Sequence, residues 1–217
     1  MSAKHGFASK EREARCGEAR VCEYGGIIMR YSFFELMEAN PVIAAIKDEK
    51  GLENCCACEE IRVVFILYGD ICTIGAIVER VKAAGKIAMV HMDLIDGLKG
   101  KESTVDFIKQ FTAADGMIST KTNLIKRAKE LGLYTVLRFF ILDSMAYENI
   151  QKQLGVVRPD ALEILPGLMP KIIRRVSKLT RVPVIAGGLI AEKEDVMAAL
   201  GADAISVSTT NPEIWRL

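Results

Sequence analysis

Pro183-Val-Ile-Ala-Gly-Gly-Leu-Ile190 and, one helical segment later, Ala204-Ile-Ser-Val-Ser-Thr-Thr210 are the stretches that decide the fold. Residues 184–186 and 204–207 are short, apolar and rich in β-branched side chains, the pattern of strands buried on both faces. Each run ends in small residues. Gly187 and Gly188 carry no Cβ, so the chain can turn sharply there and let an anion approach the backbone N–H groups. A helix starting near Glu192 would add the partial positive charge of its first turn. Ser208 and Thr209 supply hydroxyl donors at the matching end of the next strand. A Gly-Gly end followed one βα unit later by a Ser-Thr end suits a barrel that holds a phosphate after its seventh and eighth strands. Gly187, Gly188, Ser208 and Thr209 are therefore the expected phosphate-binding residues.

The same rhythm runs back through the chain. Short apolar runs recur at residues 41–45, 63–67, 87–92, 116–119, 134–140 and 161–165, ahead of 183–186 and 204–207. Helical spacing with charged outer positions fills the intervals at 73–82, 101–111, 123–131, 144–154, 170–179 and 193–200. Pro170 suits a first helical turn, and Gly85, Gly132 and Gly201 stand where helices are expected to end. Strands alternating with helices imply right-handed βαβ units and a parallel sheet. Eight of them imply an α/β fold of the (β/α)8 TIM-barrel type, with a doubly wound open sheet as the other architecture. Residues 40–217 are few for such a barrel, where about 250 are typical, so it must be compact and its last helix, 212–217, a stub. Residues 31–39 can form a short helix capping one end. Residues 1–30, dense in Lys, Arg and Glu without an apolar face, read as a mobile extension to a single barrel domain over 31–217.

Composition narrows the class of molecule. Lys and Arg number 29 against 28 Asp and Glu, which gives no support for a wholly electrostatic nucleic-acid binder. Nothing approaches the roughly 18 apolar residues of a membrane span, and the charged start is unlike a secretory signal. A soluble cytoplasmic protein is expected, with its cysteines as reduced thiols. Cys55-Cys-Ala-Cys58 contains a C-x-x-C spacing, but a zinc site would bring a second pair or nearby histidines. The histidines, His5 and His91, stand elsewhere. No metal and no cofactor are expected.

Side chains alternate along a strand, so polar residues within apolar runs show which parity faces the barrel axis. His91 and Asp93 share a parity; Arg138 interrupts residues 136–140, and Glu163 interrupts 161–165. Lys47 continues the parity of Ile43 and Ala45, and Lys121 follows the fourth strand. Buried charges must pair or meet solvent or ligand. Arg138 and Glu163, on neighbouring strands, are expected to form an internal ion pair, whether for packing or for binding. All six lie at the C-terminal ends of strands, where barrel sites form. Two acids with several cations beside a phosphate grip suit a small phosphorylated polyol. The same set could do acid–base chemistry through Lys121, His91 or Asp93. A final feature is electrostatic. Between Glu163 and Glu192 lie no acids but Lys171, Arg174, Arg175, Lys178 and Arg181, the first four forming a stripe on one helix. Such a stripe is a solvated face or a nucleic-acid contact.

Several segments together resemble the glycerol-3-phosphate-responsive antiterminator family, regulators of glycerol uptake operons in bacteria. They are Asn40-Pro-Val-Ile-Ala-Ala-Ile-Lys-Asp48, His91-Met-Asp-Leu-Ile-Asp-Gly-Leu98, Asp115-Gly-Met-Ile-Ser-Thr-Lys121 and Arg138-Phe-Phe-Ile-Leu-Asp-Ser144. Glu163-Ile-Leu-Pro-Gly-Leu-Met-Pro170, Pro183 to Ile190, and Ser206-Val-Ser-Thr-Thr-Asn211 with Trp215 complete the set. The resemblance implies a TIM-like barrel without enzymatic activity. It would bind glycerol 3-phosphate and then the leader of a target mRNA, preventing a terminator hairpin from ending transcription. Carried over, the phosphate rests on Gly187, Gly188, Ser208 and Thr209. The polyol lies towards Asp93, Lys121, Arg138 and Glu163, with His91 and Lys47 nearby. Lys171, Arg174, Arg175 and Lys178 are the RNA candidates. The first 30 or so residues and the cysteine cluster depart from the family pattern. A lyase or isomerase acting on a small sugar phosphate is the rival reading, and a module signalling only through a protein partner is the third.

Overall fold

A computed structural model describes residues 20–24, 27–31 and 33–217, with side chains from residue 33 onward. The expectation of a mobile segment over 1–30 therefore lies mostly outside the described residues. Within it, Arg20–Tyr24 (β1) and Ile27–Tyr31 (β2) pair antiparallel. Phe33–Ala39 (α1) follows.

Eight strands then close into a parallel barrel. They are Val42–Ile46 (β3), Val63–Ile66 (β4), Ile87–His91 (β5), Gly116–Ser119 (β6), Tyr134–Phe140 (β7), Ala161–Leu165 (β8), Val184–Gly187 (β9) and Ser206–Thr209 (β10). Between them stand Glu49–Ala57 (α2), Ile74–Ala83 (α3), Glu102–Phe111 (α4), Thr122–Glu130 (α5), Ser144–Val156 (α6), Pro170–Leu179 (α7) and Lys193–Leu200 (α8). Closure is made by β10 against β3, with Val207 opposite Val42 and Thr209 opposite Ala44. The open-sheet alternative is thereby excluded, and the expected stub is a single 3-10 turn, Ile214–Arg216. That turn is tied inward by its middle residue: Trp215 is buried, and its indole N–H donates to Thr209 O at 2.9 Å.

The barrel wall separates two apolar cores. Inside it, Ile43, Ala45, Val63, Phe65, Ile87, Met89, Ile118, Val136, Ala161 and Ile185 alternate with outward-facing residues, as a two-residue period requires. Phe33 and Met37 of α1 join this inner cluster, and Phe33 stacks on Tyr134 at 5.1 Å between ring centroids. The short helix thus plugs the end of the barrel where the strands begin, as the sequence predicts. Outside the wall, Ile46, Val64, Val90, Leu137, Ile164 and Val207 pack against the buried stripes of α2 to α8.

Local chemistry sets the helix starts. Asp48 caps α2 by accepting from Gly51 N at 2.7 Å, and Asp143 caps α6 by accepting from Ala146 N at 2.8 Å. Helix α2 carries Cys55 and Cys56, and Cys55, Cys56, Cys58 and Cys72 are free thiols. Burial pushes the Cys55 thiol up to about 12, so it is an inert core group and not a nucleophile. Gly85 and Gly132 end their helices at φ 72° and 69°. Gly201 does not: it stays at φ −64°, and Asp203 takes the left-handed position at φ 68°. That displaced turn starts β10 two residues later than the apolar run suggests. Among the described residues no helix is long and apolar enough to cross a membrane.

Candidate effector site

The inner face of the barrel changes character at its last layer. The parity that carries Ile87 and Met89 in β5 continues to His91; that of Tyr134 and Val136 in β7 continues to Arg138; that of Ala161 in β8 continues to Glu163. In β9 the same parity runs from Ile185 to Gly187, and in β10 from Ser206 to Ser208. The open end is therefore floored by polar groups standing on an apolar plug.

Glu163 is the hub. It is fully buried and accepts from Arg138 Nε at 2.5 Å and from Ser208 Oγ at 2.5 Å, so one carboxylate ties three strands together. The expected ion pair is present, and Ser208 is its third member. Gly187 is what makes room: a Cβ there would lie 2.5 Å from Glu163 Oε1 and 2.6 Å from Ser208 Oγ. The space beside Gly187 is thus filled by protein.

His91 is 2 % exposed and its Nδ1 has no partner among the described residues. Burial first, and the Arg138 charge second, pull its pKa down to about 4 against the opposing pull of Asp93. The imidazole is neutral at pH 7, and an unpartnered buried nitrogen at a barrel mouth is a ready contact for a ligand hydroxyl. Asp93 lies next to it, just past the end of β5. Its Oδ2 accepts from Ser119 Oγ at 2.9 Å, Thr120 N at 2.8 Å and Thr120 Oγ1 at 3.2 Å. Lys121 Nζ stands 3.2 Å from Oδ1, an ion pair by distance, yet no donor is aligned for a hydrogen bond to that oxygen. Burial works to raise the Asp93 pKa, but these donors outweigh it and hold the carboxyl below its ordinary value. Lys121 is half-exposed and overlain by Gly100, where a Cβ would run into Nζ. Lys47 is exposed at the end of β3.

Ser208 and Thr209 are not equivalent. Consecutive strand residues face opposite ways, so Ser208 points into the barrel while Thr209 points out and donates to Ile190 O at 2.6 Å. Both hydroxyl hydrogens are committed to protein acceptors. The start of α8 is similarly engaged: Asp195 Oδ2 accepts from Ala191 N at 2.9 Å and from Glu192 N at 3.0 Å. The helix end thus offers less to an anion than the sequence suggests. The turn after β9 is unusual in another way. Gly188 and Leu189 adopt φ 75° and 63° in succession, and a leucine there is strained by about 1–2 kcal/mol. Such outliers gather where loops clamp ligands, and Leu189 is exposed at the rim.

The predicted residues thus divide into an inner group, His91, Arg138, Glu163, Ser208 and Gly187, and an adjoining pair, Asp93 with Lys121. The α7 stripe stands apart from both, on the outer face of the barrel. Sequence reasoning missed Ser206, whose buried Oγ has no partner among the described residues. Its shared parity with Ser208 was the available signal. It also missed the Ser119 and Thr120 ligands of Asp93, and a cleft of about 420 Å³ beside the mouth lined by Ile141, Tyr147, Met169, Ile172 and Arg175 among others.

Comparison with known proteins adds an independent line. A family model described as glycerol-3-phosphate responsive antiterminator matches residues 42–215. The uncharacterized protein YgcP of Escherichia coli (strain K12) is 44% identical over 182 residues, 84% of this chain and 95% of that one. The crystal structure of the glycerol uptake operon antiterminator regulatory protein from Listeria monocytogenes superposes with a TM-score of 0.77 at 33% identity, covering 80% of this chain and 94% of that one. A glycerol uptake operon antiterminator-related protein from Thermotoga maritima gives 0.73 at 33% identity, covering 82% of this chain and 99% of its own.

Proposed function

The chain belongs to the glycerol-3-phosphate responsive antiterminator family, and from that we propose that it senses glycerol 3-phosphate and, when loaded, binds the leader of a target mRNA and prevents termination. The observation that supports the sensing half is the polar floor: a fully buried Glu163 held by Arg138 and Ser208, beside a His91 Nδ1 without a partner among the described residues. Carboxylate oxygens accept from hydroxyls beyond the bonds they already make, so the glycerol hydroxyls meet Glu163, His91 and Asp93. The phosphate rests against the Gly187–Gly188 turn and the end of β10 at Ser208 and Thr209, where backbone N–H groups are the donors. Arg138, Lys121 and Lys47 balance its charge. No cofactor takes part, and the protein acts in the cytoplasm, where transcripts are made.

As a regulator the chain has no chemical step to perform, and its output is a difference in affinity for RNA between loaded and empty states. Lys171, Arg174, Arg175 and Lys178 carry the RNA phosphates. Calorimetry and thermal shift test the first half: a specific effector at 100 times its Kd stabilises by about 2.7 kcal/mol, and Glu163→Gln abolishes the shift. Absence of a shift with wild-type protein overturns the reading. Phosphorus NMR of the same mixture returns glycerol 3-phosphate unaltered; a product would turn the reading towards a lyase or isomerase.

A further inference from the structure

Helix α7 carries four cations and no acid, whereas each of the other outer helices, α2 to α6 and α8, carries at least one acid. Arg80 on α3 pairs with Glu49, Lys82 with Asp115, Arg127 on α5 with Asp106 and Glu130, and Lys129 with Asp160. Among the described residues no carboxylate lies within ion-pair distance of Lys171, Arg174, Arg175 or Lys178, and all four are exposed. An uncompensated cationic face is a standing site for a polyanion.

The face does not stand alone. Arg175 also lines the cleft beside the mouth, and its guanidinium lies over the Tyr147 ring at 4.4 Å from the centroid. Tyr147 is half-buried and lines the same cleft, so the ring anchors the guanidinium where the cleft opens. The remaining walls are Ile141, Leu142, Met169 and Ile172 together with Asp143, Ser144 and Glu148 at the start of α6, with Leu142 85 % exposed and Asp143 engaged as the helix cap by Ala146 N. Cationic and apolar surface beside a row of positive charges that no carboxylate neutralises, Arg174 spending one N–H on Gly201 O at 2.6 Å, is what an unpaired nucleobase and its flanking phosphates require, because bases stack on guanidinium planes as well as on aromatic rings. A duplex keeps its bases inside and cannot use the slot.

Resting on the RNA reading above, we propose that Tyr147 and Arg175 form a stacking platform for an unpaired base of single-stranded RNA, whose phosphates run along Lys171, Arg174 and Lys178. The slot is also wired to the effector site. Its walls Ile141 and Leu142 follow β7, which carries Arg138, and Met169 follows β8, which carries Glu163. A ligand that shifts the Arg138–Glu163 pair moves the ends of the strands from which both walls of the slot hang.

Fluorescence anisotropy on full-length protein saturated with glycerol 3-phosphate tests this. The probes are a labelled oligocytidylate of about twelve nucleotides, within the usual site size, and a mixed-sequence RNA duplex of the same length. The single strand binds more tightly than the duplex. Arg175→Lys keeps the charge but loses the plane, and weakens the single strand on the order of tenfold. Tyr147→Ala does the same, whereas Tyr147→Phe, which keeps the ring, binds as wild type. Lys178→Gln weakens both probes alike. The glycerol 3-phosphate thermal shift is retained by Arg175→Lys and Tyr147→Phe, which shows that each is folded and loaded. RNA binding that ignores Arg175→Lys, or a duplex bound as tightly as the single strand, sinks the platform and leaves the RNA reading intact. Wild-type protein that binds no RNA sinks both.

Discussion

At the scale of single residues, the buried polar groups set the response to pH and substitution. His91 in the folded protein has its pKa near 4 against an ordinary 6.5. The unfolded chain thus binds the extra proton first, and stability is full above about pH 6.5 and falls as pH drops towards 4. Wild-type protein should lose about 2 kcal/mol more than His91→Gln between pH 7.5 and 5, read from urea midpoints. Equal losses would mean that the imidazole is solvated. The lowered Asp93 carboxyl contributes in the same direction only below its ordinary value of 3.8. For the ion pair, Arg138→Met leaves Glu163 buried with one donor and should cost about 3–5 kcal/mol. The double change with Glu163→Gln should cost less than the single one. Parity alone made Arg138 and Glu163 legible as partners, because a charge inside an apolar run has few places to go. It also separates Ser208 from Thr209, a consequence the Ser-Thr motif taken as a unit conceals.

At the scale of elements, short-range chemistry decided most boundaries. The first and last residues of α7 and α8 coincide with the predicted segments; Pro170 marks the first start openly in sequence, and the structure shows Asp195 fixing the second by accepting from Ala191 N and Glu192 N. Asp195→Ala frees the N–H groups of Ala191 and Glu192 and should lower stability by about 1 kcal/mol, measured by chemical denaturation. An unchanged midpoint would mean that water replaces the carboxylate at no cost. What sequence did not show was the backbone of two particular residues. Leucine is rarely left-handed, so nothing in Gly-Gly-Leu marks Leu189 as such. Gly201 is the expected helix terminator, yet the turn is completed two residues on by Asp203, a residue type that visits positive φ more readily than most.

At the scale of the whole molecule, the barrel was readable because its pattern is written eight times and each copy constrains the next. Surfaces carry no such redundancy: solvent imposes no period, so the α7 stripe was visible while the Tyr147–Arg175 slot, made of residues 28 positions apart, was not. The plug was legible in sequence as a short helix capping one end, and it is structural in the strict sense. Phe33→Ala should cost about 3–5 kcal/mol and lower the melting temperature without abolishing glycerol 3-phosphate binding; loss of binding with unchanged melting would put Phe33 in the wrong role. Among the described residues, Phe33, Met37 and Tyr134 fill the end where the strands begin, so the polar floor opens at the other end. On the proposed reading, a metabolite resting on Glu163 would leave past the rim beside the Tyr147–Arg175 cleft, and RNA bound there would slow its escape. A sensor built that way would carry a short memory: after the metabolite pool collapses, engaged transcripts would keep their permission to continue for as long as the doorway stayed obstructed.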